Sequence, residues 1–310
     1  MTLTTKPTKP AGPAGPVEPG PVEPGPVEPG AVRRAPRDVL LLLSAGAAAL
    51  LVLLALGAPL VAPYDPAAGS LEDRLLDPGA PGHLLGTDGQ GRDVLSRLLW
   101  AGRASLVGGL VPVLVAVTAG TLLGIAAGLG GRVTEQVLLR TLDVLYAFPG
   151  VLLAIAVATL LRPGLGATVL ALSVVLTPAV ARVAFTELRR IRTAEYLEAA
   201  RVSGAGGLDL AVRQVVPVVA PVVLVYAASL VGLSVVYAAG LSFLGLGVAP
   251  PTAEWGAMLD ELRPSLFTHP WVAVQPALVI LLVSVVFNTL GERLRRRIGD
   301  SGAHLPEAGR

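Results

Sequence analysis

Long stretches without a charged side chain alternate with shorter charged segments along most of this sequence. A helix needs about 20 consecutive apolar residues to cross the hydrocarbon core of a bilayer. The pattern therefore predicts an all-α integral membrane protein with six transmembrane helices. We place these spans at approximately 39–62, 104–128, 141–161, 166–186, 219–241 and 272–292.

The fifth apolar stretch, 214–253, is too long for one straight helix and too short for two helices with a loop between them. Prolines lie near its start, and Gly240 and Gly245 weaken its second half. We predict one helix from about Pro221 to Ala239. The Gly-rich segment after it is expected to be non-helical or broken, which is tolerated at membrane depth only where protein covers it.

The first part of the chain, residues 1–37, contains three Gly-Pro-Val-Glu-Pro repeats in register over 15–29. Because proline fixes φ and lacks a backbone donor, this segment is predicted to be an extended, disordered tail. The tail either docks a partner or is a tolerated low-complexity extension. The remainder divides into a transmembrane domain over 38–298 and a C-terminal tail over 299–310.

The overall composition excludes most soluble enzymes. Of the 310 residues, 53% are hydrophobic and only 15% are charged, whereas soluble domains are about 25% charged. The first apolar run begins only at Val39 and is long enough to span a membrane, so it is not interpreted as a cleaved secretory signal.

The basic residues are distributed unevenly between the segments that join the spans. Eighteen of the 24 lie in the N-terminal tail, in 129–140, in 182–213 and after the last span, and six lie in the other connections. Basic residues favour the cytoplasmic side of a membrane. Both termini are therefore predicted to be cytoplasmic, with 63–103 and 246–271 as the two large external connections.

Several kinds of chemistry are absent from the sequence. There is no cysteine, the three histidines are far apart, and both lysines lie in the N-terminal tail, so no metal site, catalytic set or P-loop is predicted. We expect no cofactor on this chain. The one acidic residue near a span boundary is Asp143, whereas proton-driven carriers usually hold ionisable groups near the membrane centre. This argues against a secondary carrier and against a membrane enzyme.

Three glycines in the second span lie four residues apart, at Gly120, Gly124 and Gly128. On a helix they form one smooth stripe that allows a neighbouring helix to approach closely. We interpret the stripe as a helix-packing surface, with pore lining as the alternative.

The longest inner connection, 187–217, predicts a helix–turn–helix elbow. Thr193 is expected to cap its first short helix and Gly204 to end it. Asp209 is expected to cap a second short helix that runs to Pro217. On the first helix, an alanine pair leaves one side nearly flat, which suits insertion into a groove of another protein.

The elbow resembles a known motif. Glu198-Ala199-Ala200, followed by Gly204 and Pro217, is similar to the EAA motif of ABC-importer membrane subunits, although Gln214-Val-Val replaces the more common Ile-x-Leu before the proline. The resemblance implies that the elbow docks in a cleft of a separate ATP-hydrolysing subunit. The residues assigned to that coupling are Glu195, Glu198, Ala199, Ala200, Arg201, Gly204 and Pro217.

Four other segments resemble the dipeptide/oligopeptide/nickel branch of these permeases, specifically the second permease of each pair. They are Tyr64–Pro66, His83–Leu99, Leu241–Met258 and Phe287–Glu292. In the second of them the signature positions are Gly86, Thr87, Asp88, Gly91, Arg92 and Asp93. This segment either shapes the outer mouth and meets a binding protein, or acts as an internal brace.

The resemblance implies a type I ABC-importer fold in a bacterial inner membrane and a set of partners. These are a homologous second permease, two subunits that bind ATP and Mg, and an extracytoplasmic solute-binding protein; no nucleic acid is expected. Solute would be delivered near Glu254, Trp255, Asp260 and 83–97. Peptide is the first expected solute and nickel the second. The alternative function is an ATP-independent channel or secondary transporter.

Overall fold

The computed structural model describes residues 39–302, with side chains described as far as Arg297. The predicted tail over 1–37 and most of the C-terminal tail lie outside the described residues. Within 39–302 the chain is helical, and its only extended pairings are isolated bridges in the loops between 69 and 93.

In chain order the helices are α1 Val39–Leu56, α2 Ala58–Val61, α3 Val94–Leu129, α4 Arg132–Tyr146, α5 Gly150–Thr159, α6 Leu165–Ile191, α7 Glu195–Val202, α8 Gly207–Asp209, α9 Val216–Phe243, α10 Trp255–Leu262, α11 Pro270–Ala273 and α12 Gln275–Gly302. Most helices are joined by short connections, and the longest connection lies between α2 and α3. Short 3-10 turns cover Leu71–Asp73 and Arg263–Ser265, and Leu210–Val215 is π-helical.

Five segments of the described chain are long and apolar enough to cross a membrane. They are Val39–Leu56, Val94–Leu129, Leu165–Ile191, Gly207–Phe243 and Pro270–Arg297.

The third predicted span is not the straight helix expected over 141–161. It consists of α4 and α5, which meet at an angle of 91°. The break contains Pro149, which lacks a backbone N–H and disfavours helical backbone at Phe148 before it.

The packing of α3 against α6 shows how the chain passes through the bundle. Gly120 of α3 faces Val180 of α6, and Gly128 faces Leu188. Residue numbers therefore increase in the same direction along both helices, so α3 and α6 are parallel. Parallel neighbours require the chain to return across the bundle between them. The bent pair α4–α5 lies between them in the chain, and counting it as one span brings the candidate spans of the described residues to six.

Several helix boundaries differ from those expected, and two of the differences have a clear physical reason. The second span begins at Val94, ahead of the predicted position 104, because Arg97 is fully buried with carboxylate partners and does not mark a helix end. The fifth helix continues past Gly240 to Phe243, and the chain leaves it only at Gly245, where φ is +77°.

Helix α9 is the centre of the described bundle, since it packs against α3, α6, α10 and α12. Small residues allow these contacts. A Cβ on Gly109 would lie 3.3 Å from the Cα of Val235 in α9, and a Cβ on Gly232 would lie 2.8 Å from the carbonyl oxygen of Ser284 in α12. Close approach of this kind increases van der Waals contact where the hydrophobic effect between helices is weak.

Candidate functional site

The elbow and the two long signature segments lie at opposite ends of the bundle, whereas Phe287–Glu292 lies within α12. Helices α3 and α6 run parallel, and the elbow follows the end of α6. The loops over 63–93 precede α3, and 244–274 connects α9 to α12 at that same end. One end thus carries the elbow and the other carries the family-signature loops.

The elbow is anchored to the bundle by three buried apolar side chains. Leu197 of α7 is fully buried, as is Val215, and Leu210 is 4% exposed. These residues belong to the main hydrophobic core. Burial of a leucine side chain contributes about 2 kcal/mol, so the elbow is held on the bundle as a packed element.

The end of α7 adopts the turn that the glycine predicts. Gly204 has φ of +85°, its N–H donates to the Arg201 carbonyl at 3.0 Å, and the N–H of Ala205 donates to the Ala200 carbonyl at 3.0 Å. These two bonds form a Schellman motif, which satisfies the last carbonyls of the helix. A Cβ on Gly204 would meet no atom within 4 Å, so glycine is needed here for its positive φ and not for lack of space.

The two predicted helix caps of the elbow are wrong. Ala194, and not Thr193, precedes α7, and no side chain caps the helix. Asp209 lies within the turn of α8 and pairs with Arg213, with 2.9 Å between Oδ1 and Nε. The chain begins α7 one residue later than the pattern indicated, which leaves Thr193 outside the capping position.

The outer surface of the elbow mixes charged, small and apolar side chains. Ala200 packs partly against the core, whereas the other assigned coupling residues are exposed: Glu195, Glu198, Ala199, Arg201, Gly204 and Pro217. Val202 and Leu208 are 89% and 79% exposed. Charged and apolar side chains therefore lie side by side on the exposed surface of the elbow.

The signature loop is closed by tight backbone turns. Gly86 and Gly91 both have positive φ, and a Cβ on Gly91 would overlap the backbone of Ser70. Thr87 accepts a hydrogen bond from the Leu76 N–H at 2.8 Å and also donates to the Asp73 carbonyl. The glycines of the signature are therefore required where two loop segments touch.

The charged residues of the signature form a buried ion-pair cluster. Asp88 Oδ2 accepts from Arg92 Nε at 2.7 Å and also pairs with Arg97. Arg92 Nη2 and Arg97 Nη1 lie 2.6 Å and 2.7 Å from Glu261 Oε2 of α10. We call Asp88, Arg92, Arg97 and Glu261 the loop cluster. It joins the segment before α3 to the connection after α9.

The ionised form of Asp88 is favoured by its surroundings. Burial by itself raises the pKa of this carboxyl, but N–H groups of Arg92 and Gln90 donate to it at 3.0 and 2.8 Å, and the Arg97 guanidinium adds an opposite charge. Together, the hydrogen bonds and the arginine charges outweigh the effect of burial, so the pKa of Asp88 lies below its ordinary value.

Asp93 connects the loop to the start of α3. Its Oδ2 accepts from the N–H of Ser96 at 2.8 Å and from the Ser96 hydroxyl at 2.7 Å, which makes it the N-cap. Its Oδ1 lies 3.0 Å from Nδ1 of His83, whose ring contacts that of Tyr64 with 5.0 Å between centroids. The side chain thus satisfies local backbone and fixes the helix start.

The residues expected near the delivered solute differ in exposure. Glu254 and Trp255 are 2% and 4% exposed, while Asp260 is exposed. The Glu254 carboxylate caps α10 and accepts from the Ser105 hydroxyl at 2.9 Å. Trp255 Nε1 donates to the Leu98 carbonyl at 3.0 Å. Glu254 and Trp255 therefore join α10 to α3 in the interior.

The glycine stripe lies against α6 over its whole length. A Cβ on Gly120 would lie 2.9 Å from the Thr177 carbonyl oxygen, and one on Gly124 would lie 2.5 Å from the Ala181 carbonyl oxygen. A Cβ on Gly128 would overlap the side chain of Leu188. All three glycines are buried, so α6 covers the stripe.

Sequence reasoning missed Glu261 and Ser105. The signature segment gave no local signal for them, since its two arginines, Arg92 and Arg97, are matched by two aspartates, Asp88 and Asp93. The partner carboxylate lies far along the chain, and only the fold brings it close.

Comparison with known proteins gives the family. Residues 120–300 match the family described as binding-protein-dependent transport system inner membrane component. The chain belongs to this family. The resemblance drawn from the elbow and the signature segments is confirmed.

Curated relatives of this permease cover most of both chains. It is 39% identical over 246 residues to the glutathione transport system permease protein GsiD of Pectobacterium atrosepticum, over 79% of this chain and 82% of the relative. It is 41% identical over 256 residues to the di/tripeptide transport system permease protein DppC of Pseudomonas aeruginosa, over 79% and 83%.

Among solved structures, the permease resembles a chain of the inward-facing MetNI methionine ABC transporter. The TM-score is 0.54 at 17% identity, covering 66% of this chain and 96% of that chain. This likeness shows the fold. The protein is a multi-pass inner-membrane permease component of an ABC importer, and ATP hydrolysis belongs to separate subunits of such systems.

Proposed function

We propose that this permease carries short peptides or peptide-like solutes inward across the bacterial inner membrane. The observation that supports the solute class is the identity of about 40% to relatives named for glutathione and di/tripeptide transport. The signature segments of the dipeptide/oligopeptide/nickel branch point the same way.

Nickel remains the second candidate from the sequence. Among the described residues, no three or more His, Cys, Asp or Glu side chains are grouped so that they could hold a metal ion. A metal would have to pass as a chelate, so peptide is the solute that we propose.

Permeases of this family work with three kinds of partner protein. We propose that a homologous permease completes the pathway, that two ATP-binding subunits hold ATP and Mg, and that an extracytoplasmic binding protein delivers the solute. The excess of basic residues in the elbow and terminal segments supports a cytoplasmic elbow and cytoplasmic termini.

The elbow is the proposed mechanical joint. When the ATP-binding subunits close, the exposed face of α7 moves with them, and the buried anchors Leu197 and Val215 pass that movement to α6 and α9. Rigid-body rocking of the membrane halves then exchanges outward and inward openings. The Schellman turn at Gly204 fixes the direction of α7 relative to the bundle.

At the other end, we propose that the loop cluster is a brace and that its exposed neighbours meet the binding protein. Leu84 and Phe267 are 72% and 94% exposed, and Asp260 is also exposed. The glycine stripe supports helix packing rather than pore lining, since α6 covers it.

The importer function is tested by reconstituting the complete complex in proteoliposomes with its binding protein. Uptake of radiolabelled Ala-Ala or glutathione should require both the binding protein and ATP. Equal uptake without ATP would favour a channel or secondary transporter. Failure to take up either peptide while importing nickel chelates would overturn the solute class.

The coupling role is tested by replacing Gly204 with valine. A β-branched residue resists positive φ, so Gly204→Val should distort the turn and remove both stimulated ATP hydrolysis and uptake. Gly206→Val is the matched control, because Gly206 has φ of −67° and a Cβ there meets no atom within 4 Å. Normal coupling in an assembled Gly204→Val complex would show that the elbow is not the joint.

A further inference from the structure

A cavity of about 290 Å³ opens at the bend between α4 and α5. The helices that enclose it are the bent pair, α6 and α9. Its lining residues are Leu145, Tyr146, Phe148, Gly150, Leu153, Val175, Leu176, Ala179, Tyr226, Leu230, Leu233 and Tyr237. Neither the signature segments nor the elbow contributes to this lining.

Aromatic side chains are concentrated in this cavity. The sequence holds five tyrosines and five phenylalanines, so aromatic residues are scarce in the chain. Three of the tyrosines, Tyr146, Tyr226 and Tyr237, line this one space together with Phe148. A leucine or valine would fill a helix interface equally well, so packing alone gives no reason to gather phenols here.

The three phenol hydroxyls have no hydrogen-bond partner among the side chains and backbone that the structure describes. The hydroxyls of Tyr226 and Tyr237 are not among the buried polar atoms that lack a partner, and Tyr146 is 59% exposed, so all three residues are accessible from the cavity or the surface. A phenol hydroxyl both donates and accepts, and leaving it unpaired in an apolar setting costs free energy. Water or a passing solute would satisfy it.

The position of the cavity is near the centre of two spans. Val175, Leu176 and Ala179 lie midway along α6, and Tyr226 lies near the middle of the apolar segment Gly207–Phe243. Discontinuous helices at membrane depth are tolerated where they border a water-filled or protein-covered space. The 91° break at the cavity satisfies that condition.

We propose that this cavity is the surface on which the permease contacts a peptide during passage. The inference rests on the proposed peptide-import function and assigns the contact to Tyr146, Tyr226 and Tyr237. The phenol hydroxyls exchange hydrogen bonds with peptide amide groups, and the rings and aliphatic side chains contact the peptide's own side chains.

The cavity lining contains no carboxylate, arginine or histidine, and this indicates which chemical class of solute it would contact. Such a surface suits neutral amide groups and uncharged side chains, and it offers no ligand for a bare cation. At its edge the Arg182 guanidinium lies 5.4 Å from the ring centroid of Tyr146, but Arg182 is paired with Asp143. The charge of Arg182 is therefore already balanced.

The test removes hydroxyls without changing ring shape. Tyr226→Phe and Tyr237→Phe should each lower the rate of Ala-Ala or glutathione uptake about fivefold, as expected for one lost hydrogen bond. Assembly and binding-protein-stimulated ATP hydrolysis should stay unchanged, because neither residue belongs to the elbow. Unchanged uptake in the double variant would overturn the proposal.

A second pair of variants tests the space itself. Leu233→Trp places a large ring in the cavity and should abolish uptake in an assembled complex, whereas Leu224→Trp, on the same helix but outside the cavity lining, should not. Normal uptake by an assembled Leu233→Trp complex would show that the solute passes elsewhere. If the unmodified complex imports neither peptide, the proposed function fails, which is distinct from failure of the cavity assignment.

Discussion

Arg97 Nη1 of α3 lies 2.7 Å from Glu261 Oε2 of α10, although the two residues are 164 positions apart in the chain. Arg97 is fully buried, and the Glu261 side chain is 20% exposed. Arg92 reaches the same carboxylate oxygen. The contact therefore locks the signature loop to the segment after α9, and its loss would leave two buried cations with Asp88 as their shared partner.

We predict that Glu261→Ala lowers the free energy of unfolding by about 3 kcal/mol, since removing one partner leaves a buried charge uncompensated. The midpoint of thermal unfolding of the detergent-solubilised complex measures this. Asp260→Asn is the neighbouring control: its pair with Arg263 is 4.0 Å apart and exposed, and such pairs contribute about 0–1 kcal/mol. Equal losses in the two variants would contradict the prediction.

Stability should decrease in acid through Asp88. Its pKa is lower in the folded protein than the ordinary value of about 3.9, so it contributes stability above that value. The contribution is lost as the pH falls through the lowered pKa. Unfolding midpoints measured between about pH 3 and pH 7 should drop more steeply in the unmodified protein than in Asp88→Asn. Parallel profiles would exclude this role.

Gly124→Ala should destabilise the packing of α3 on α6. The added Cβ would lie 2.5 Å from the Ala181 carbonyl oxygen and 2.9 Å from the Phe185 amide nitrogen, and backbone atoms cannot move aside easily. Overpacking of this kind costs about 1–3 kcal/mol. Gly240→Ala is the control, because a Cβ at this helical glycine meets no atom within 4 Å and should stabilise α9 by about 0.5–1 kcal/mol. Unfolding midpoints of the two variants should move in opposite directions.

Glu254 and Ser105 should depend on each other. Glu254→Ala removes the N-cap of α10 and is expected to cost about 0.5–2 kcal/mol. Ser105→Ala removes a hydroxyl that donates to Glu254 and accepts from the Trp255 N–H. The double variant should lose less than the two single variants together, by about 1 kcal/mol. Strict additivity in the unfolding measurements would show that the pair is not coupled.

The elbow shows which local features could be predicted from neighbouring residues alone. The Gly204 turn follows from local conformational preference, and it is present as predicted. The caps at Thr193 and Asp209 were wrong because several neighbouring positions can begin a helix: α7 begins after Ala194, and Asp209 lies within α8. The prediction of a straight third span was wrong because an apolar run indicates how long a membrane-spanning segment is, and not whether its helix bends.

The sequence by itself determined the all-helical membrane class, the family and the positions of its turns, because hydropathy, glycine conformation and motif spacing are properties of neighbouring residues. Only the tertiary structure decided that Arg97 meets Glu261 and that three tyrosines share one cavity with the bend at Pro149. Those contacts depend on which helix faces lie together. Helix packing fixes that arrangement through many small van der Waals contacts between residues distant in the chain.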